Sequence, residues 1–303
     1  METHDTGLII SRISRHANYR DAEIDPRYLP LSRSDFVRVV KLLGIIPSFI
    51  YMRSDAGASG SFSCYTKRDG NGRVQTISTV YQEPAQGEGG AYDVTDQGLT
   101  MRVPHSPNNE VKSIWSLALT WNPEGLYTTG IFDGASEDDT KFLVDSINAE
   151  SHFHPLNIPL SLLELLTVKY TTMRRQLTRT LIQLESGIGL IRGNEPLSNS
   201  IWHWNESKLR LLIKEVNLMN TGLSYMERRY DFAIRFAKFL QKVSLVQSAR
   251  LPNESQLILE TTIERVQNTQ YFLDNGMHHI QSLQKRTAAL ITVVSLRFNY
   301  SCV

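Results

Sequence analysis

Two pairs of histidines, His152 with His154 and His278 with His279, are the first groups in this chain whose type and spacing suggest chemistry. Imidazoles bind zinc or a transition metal when a carboxylate or thiol completes the set at metal-site spacing. Neither pair has such a companion, so both read as surface histidines, the first of them near a domain junction. The densest acids are Asp133, Glu137, Asp138 and Asp139. Oxygen donors in that number suit a hard cation. A loop exit leading into the first turn of a helix accounts for the same four residues, because acids there meet the positive end of the helix dipole. The metal-ligand set is therefore left unassigned.

Nucleophilic and phosphate-binding chemistry find no support. Gly57-Ala58-Ser59-Gly60-Ser61 lacks the spacing of a serine elbow and the lysine of a phosphate loop, and reads as a loop. Trp202-His203-Trp204 has the residues of a stacking platform, but at a helix start such a group anchors the helix on its neighbours. Arg174-Arg175, Arg228-Arg229 and Lys285-Arg286 are isolated basic pairs without interleaved aromatics. They read as solvated helix faces, and no nucleic-acid partner is expected. Cys64 and Cys302 form no C-x-x-C or Cys/His group, which points to a reducing compartment. No catalytic or cofactor-binding residue is assigned, and the chain does not read as an enzyme.

The elements that would position these residues fall into two textures. With 303 residues, 41% of them hydrophobic, the chain is long enough for about two domains with their own cores. Its net charge of +1 hides a division, since residues 1–150 sum to −6 and residues 151–303 to +7. Up to about residue 135 short apolar or alternating runs are punctuated by Gly, Pro, Ser and Asp, which are strand and turn signals. Strands are expected at 8–13, 49–52, 62–66 and 73–81, the last two joined by Asp69-Gly70-Asn71-Gly72, where both glycines offer positive φ. A second hairpin joins 114–121 to 126–132, with Trp115, Leu117, Leu119 and Trp121 on the core side. Helices begin at Ser32 and Ser136, Gly44 ends the first, and 84–98 reads as a long surface loop.

From His154 onward the pattern turns helical. Helices are expected over about 159–185, 200–248 and 254–296, broken by Gly187-Ile188-Gly189 and by Pro252. The last carries a seven-residue repeat on two tracks, one through Leu259, Val266, Leu273, Ile280, Thr287 and Val294, the other through Ile263, Gln270, Met277, Gln284 and Ile291. The polar members interrupt the seam, and the half after Gly276 is expected to need a neighbouring chain, giving a homo-oligomer through helix 254–296. Its most apolar run, 288–296, is about half of what a bilayer span requires. No signal or transit segment is read at the N-terminus. The fold class expected is α+β: an N-terminal α/β head with a mixed sheet over residues 1–150, then a long-helix bundle with a C-terminal stalk helix over residues 151–303.

Several segments carry a family likeness. They are Ser14-Arg15-His16-Ala17-Asn18-Tyr19-Arg20-Asp21-Ala22, Phe62-Ser63-Cys64-Tyr65 with its Arg68-Asp69 turn, and Thr76-Ile77-Ser78-Thr79-Val80-Tyr81. Further along stand His154-Pro155-Leu156 leading into Leu160-Ser161-Leu162-Leu163-Glu164-Leu165, and Leu259-Glu260-Thr261-Thr262-Ile263. In this order the whole chain resembles the cytoplasmic portion of CorA-like divalent-cation (magnesium) transporters, specifically their fungal branch. The resemblance implies an α/β head, a pair of long helices and a longer stalk helix, which in full-length relatives continues into the membrane as part of a pentameric funnel. The family's Gly-Met-Asn motif has no counterpart at a pore mouth, since Gly276-Met277-His278 falls in mid-stalk, so no pore residue is carried over. The implied function is a soluble, truncated cytoplasmic domain without transport activity of its own, equivalent to the regulatory or oligomerisation portion of a transporter. The alternative is a soluble helical interaction or regulatory protein with no cation role.

Overall fold

In the computed structural model the described residues are 7–11, 33–50, 60–82, 92–95, 98–101, 115–125, 127–133, 137–149, 154–190, 206–248 and 253–301. The elements in order are β1 (Gly7–Ser11), α1 (Arg33–Leu42), β2 (Ser61–Arg68), β3 (Val74–Gln82), β4 (Tyr92–Thr95), β5 (Gly98–Met101), β6 (Ser116–Asn122), β7 (Tyr127–Asp133), α2 (Glu137–Ala149), α3 (Asn157–Gly187), α4 (Glu206–Ser248) and α5 (Asn253–Ser301). The fold class is α+β as expected, with a mixed sheet and long helices. Contacts divide the chain into two compact units. One comprises Met1–Gly87, Glu110–Leu165 and Ile234–Gln270, and the other Glu88–Asn109, Leu166–Ala233 and Tyr271–Val303.

The first unit is built on a five-stranded sheet in the order β1-β7-β6-β3-β2. The β1–β7 pair is parallel and the other three pairs are antiparallel. Ile131, Ala118 and Val80 lie side by side in adjacent strands. They pack on Val40, Leu43, Ile45 and Phe49, from α1 and the turn after it. On the opposite face Tyr81 and its cross-strand partner Phe62 stack on α4, with Phe62 5.4 Å from both Phe236 and Phe239 and Tyr81 5.1 Å from Phe236. Both faces are thus covered. Residues 115–121 are buried throughout, Ser116, Ala118 and Thr120 as fully as the tryptophans and leucines between them. The expectation that only the Trp/Leu set faces a core is corrected, because α1 supplies a second core on the other side.

The loop chemistry explains how α1 is held. Gly44, at φ 64°, takes the left-handed position that ends the helix, and its N–H and that of Ile45 bond back to Lys41 and Val40. The carbonyls of Leu43 and Gly44 are then satisfied from the sheet: Thr129 Oγ1 donates to Leu43 at 2.9 Å and Thr120 Oγ1 to Gly44 at 3.1 Å. The strand expected at 49–52 is instead a helical turn where it is described. Pro47 opens it, and the N–H of Ile50 bonds the Pro47 carbonyl at 3.0 Å. In the β2–β3 turn Asp69 Oδ1 accepts from the N–H groups of Asn71 and Arg73, and only Gly72 has positive φ. Gly70 does not, so one glycine suffices where two were expected. The loop expected at 84–98 contains β4 and runs into β5.

Three long helices supply the rest. α3 and α5 run a few residues beyond the expected limits, while α4 is described from Glu206, residues 200–205 lying outside the described residues, and ends at Ser248 as expected. Gly189, at φ 79°, ends α3 with the same motif as Gly44: Leu190 N–H bonds the Glu185 carbonyl and Gly189 N–H that of Ser186. At 49 residues and about 1.5 Å each, α5 is about 73 Å long.

The α5 track of Leu259, Val266, Leu273, Ile280, Thr287 and Val294 is buried at every position, as read. The companion track is displaced by one residue. The deeper positions are Thr262, Gly276, Leu283 and Leu290, while Ile263, Gln270, Met277, Gln284 and Ile291 are only half-buried. The polar residues of the stripe all have partners: Gln270 accepts from Gln241 at 2.9 Å, Gln284 donates to Glu227 at 2.8 Å, and Thr287 donates to the Leu283 carbonyl of its own helix. Ile280, Leu283, Leu290 and Val294 are covered by the chain itself. The seam after Gly276 therefore needs no second copy, which corrects the expected route to a homo-oligomer.

Candidate functional site

The basic pairs provide the most distinctive side-chain environment among the described residues. Successive helical residues point about 100° apart, so one member of each pair can turn inward while the other stays in water. Arg175, Arg228 and Lys285 are exposed, whereas Arg174, Arg229 and Arg286 are half-buried. This corrects the reading of all three pairs as solvated faces. All three inward cations belong to the second unit.

Each has its own surroundings. The Arg286 guanidinium holds the buried carboxylate of Glu185 in a two-pronged pair through Nε and Nη2. Such geometry matches a planar fork to both carboxylate oxygens. Arg229 lies over the Tyr170 ring at 5.7 Å and directs Nη1 to the Met173 sulfur at 2.8 Å, so a soft acceptor and an aromatic face receive its charge. Arg174 has its Nε buried without a hydrogen-bond partner among the described residues.

Two tyrosines close the interior of this unit. Tyr170 and Tyr230 meet at 5.9 Å between ring centroids, and both are buried. The Tyr230 ring fills the place a side chain at position 276 would occupy, since a Cβ there would stand 2.1 Å from Tyr230 Cε1. Burial raises the Tyr230 phenol, while the Arg174 charge and the Thr171 hydroxyl pull it back. His279, exposed on α5, is held below its ordinary value by partial desolvation and by the charges of Arg174 and Arg286. The Thr171 and Tyr230 hydroxyls do not meet in hydrogen-bond geometry, and each is without a partner among the described residues.

The other candidates separate. His154 is 3% exposed, its Nδ1 accepts the Leu156 N–H at 3.2 Å, and burial lowers it to about 4. It is a neutral residue at the entrance of α3 and corrects the surface reading. His278 is exposed, as read. His152, the Trp202-His203-Trp204 group and Cys302 lie outside the described residues. Asp138 is exposed and Asp139 buried, and among the described residues no three His, Cys, Asp or Glu side chains come together as a metal cluster. Cys64 is exposed on β2, and desolvation raises its thiol despite the opposing charge of Lys242. In the first unit Arg265 pairs with Glu164 at 3.1 Å, a half-exposed counterpart of the Glu185 pair. The signal of the inward arginines is angular: adjacent helical residues stand about 100° apart, so one member of a basic pair can border the apolar stripe while the other faces water.

No family model and no curated protein matches this chain. Solved structures similar to it include the following two. The full-length CmaX protein shares 13% identity at a TM-score of 0.35, with 74% of this chain and 57% of that one covered. The ZntB cytoplasmic domain from Vibrio parahaemolyticus RIMD 2210633 shares 9% identity at a TM-score of 0.38, with 87% of this chain and 84% of that one covered. The chain thus spans little more than half the length of CmaX.

Proposed function

We propose that the chain acts as a CorA-like cytoplasmic domain in soluble form, without transport activity of its own, and that it represents the regulatory or oligomerisation part of a divalent metal ion transporter. The observation that supports this reading is the order of parts: a mixed sheet, then three long helices of which the last is 49 residues. Of the segments that carry the resemblance, Phe62–Tyr65 and Thr76–Tyr81 lie in β2 and β3, and Ser14–Ala22 lies outside the described residues. His154-Pro155-Leu156 leads into α3, and Leu259 to Ile263 lies near the start of α5. The proposed division places a head over residues 1–150 and the long-helix part over residues 151–303. No described helix is long and apolar enough to cross a membrane. The cytoplasm is the proposed compartment and magnesium the proposed cation.

Self-association belongs to the same proposal, but through another surface. Leu273 and Ile280 are spent inside the chain, whereas Tyr271 and Phe272, 68% and 49% exposed, are adjacent apolar residues on the exposed surface of α5, which also carries Leu296. Analytical ultracentrifugation at high micromolar concentration, with and without magnesium, tests the reading. A concentration-dependent oligomer that magnesium shifts supports it. A chain that stays monomeric under both conditions refutes the oligomerisation role, and an oligomer indifferent to the cation favours a helical interaction protein. Reconstituted liposomes should show no magnesium uptake beyond that of empty vesicles.

A further inference from the structure

The outer face of the second unit carries exposed charge of one sign. On α3 from Leu166 and on α5 from Tyr271 to Arg297, the fully exposed charged side chains are Lys169, Arg175, Arg179 and Lys285, all of them basic. The two acids of those stretches are withdrawn, since Glu185 is buried in its pair with Arg286 and Asp274 is half-buried. Apolar side chains sit among the bases. The Glu185–Arg286 pair marks where α3 meets α5, and residues seven apart on a helix lie on one track. Phe272 and His279 therefore share the α3-facing track of α5 with Arg286, and on α3 the track of Val168, Arg175 and Ile182 ends one turn before Glu185. All five of these side chains are exposed, Val168 to 62%.

A face of this kind fits an acidic partner with an apolar anchor, and the first unit of the chain offers one. On α2, Phe142 is 37% exposed, with exposed Asp138 one turn before it and exposed Asp145 one turn after it on the same stripe. Lys141, also exposed, stands about 100° round the helix from Phe142. The sums of −6 for residues 1–150 and +7 for residues 151–303 extend the same complementarity to the whole chain. We propose that α2 of one copy docks on the α3–α5 face of a second copy, Phe142 against Val168 and Phe272, Asp138 and Asp145 toward Arg175 and Arg179; this names the partner surface of the self-association proposed above and rests on that reading. The contact is heterologous. Each copy offers one acidic helix and one basic face, so copies add head to tail and either close into a ring or grow as a filament. Exposed charge pairs contribute little each and are screened by salt, so the apolar anchor sets the affinity while the charges choose the partner.

Sedimentation velocity at high micromolar concentration tests the contact with two charge reversals. Asp138→Lys with Asp145→Lys reverses the acidic helix, and Arg175→Glu with Arg179→Glu reverses the basic face. Each double variant should weaken association by about tenfold or more, as should Phe142→Ser. Mixed in equal amounts, the two reversed chains should associate again, because each then offers the surface the other needs. Raising the salt from about 50 to about 500 mM should weaken the parent oligomer. A monomeric parent chain overturns the self-association reading itself. A parent oligomer that both reversals leave intact, or whose loss is not restored by mixing, overturns this contact alone. Binding to phosphatidylserine-containing vesicles that Arg175→Glu with Arg179→Glu abolishes, while the oligomer persists, would assign the face to a membrane and likewise overturn the contact. Far-UV circular dichroism checks that the variants fold, and should Asp138→Lys disturb the first turn of α2, Asp145→Lys alone takes its place.

Discussion

Tyr230 occupies the space that a side chain at residue 276 would need: a Cβ on Gly276 would stand 2.1 Å from Tyr230 Cε1 and 2.7 Å from Cζ. A glycine in mid-helix costs about 1 kcal/mol relative to alanine. Here that cost allows an aromatic ring from α4 to close on the α5 backbone. Gly276→Ala should therefore destabilise the protein by about 1–3 kcal/mol, although alanine is the better helix former. In a Tyr230→Ala background the same change should be neutral or stabilising. Urea denaturation of the four proteins measures this coupling, and equal effects of Gly276→Ala in both backgrounds would refute it.

Thr120 joins two layers of the first unit. Its single hydroxyl proton goes to the Gly44 carbonyl, so the 3.1 Å contact with Ser78 is one in which Ser78 donates. Thr120→Val keeps the shape and strands both groups, at an expected cost of about 1–3 kcal/mol. Gly44→Ala should cost about 1–2 kcal/mol from its left-handed backbone alone, because a Cβ there would meet Thr120 Cγ2 at an ordinary 3.6 Å. Thermal unfolding of the two single variants provides the check.

His154 should make stability fall in acid. Its pKa is lowered from 6.5 to about 4 by burial, so the folded state holds the neutral ring while the unfolded chain takes up a proton. The contribution is complete above about pH 6.5 and is lost progressively down to about pH 4, to the extent of about 3 kcal/mol. His154→Gln removes the titration. The stability difference between parent and variant should shrink across that window, and a difference that does not change with pH would contradict the assignment.

Glu185 and Arg286 should behave differently from the surface pair Glu206 and Arg210. Removing Arg286 by Arg286→Met leaves a buried carboxylate without its partner, with an expected loss of about 3 kcal/mol. The Arg210 pair lies in water, with both side chains more than half exposed, and Arg210→Met should cost less than about 0.5 kcal/mol. Chemical denaturation of both variants gives the comparison.

Periodicity made the helices and one of the α5 tracks legible from sequence. A seven-residue spacing names a stripe without naming its width. Met277 and Gly276 are neighbours, and the apolar reading preferred the methionine, yet the tyrosine that selects the glycine lies on another helix and leaves no mark near residue 276. Gln270 and Gln284 looked like flaws for the same reason. Their partners Gln241 and Glu227 sit at matching separation on α4, a correspondence visible only once the helices are placed side by side. Phe49 was read as a strand residue on local apolarity, while Pro47 two positions earlier had already fixed a turn. The inward arginines were hidden by counting charge along the chain instead of around the helix.

The sheet has one further consequence, for how this protein avoids polymerising. Strand β2 ends the order of described strands, so its outer backbone groups are a template on which another extended chain could grow. Its far end carries Lys67 and Arg68, both exposed, and the pairing register shifts between them. Charge and a local twist together spoil that end for fibril seeding. Neutralising these two bases is therefore expected to lower solubility during refolding before it alters the native fold.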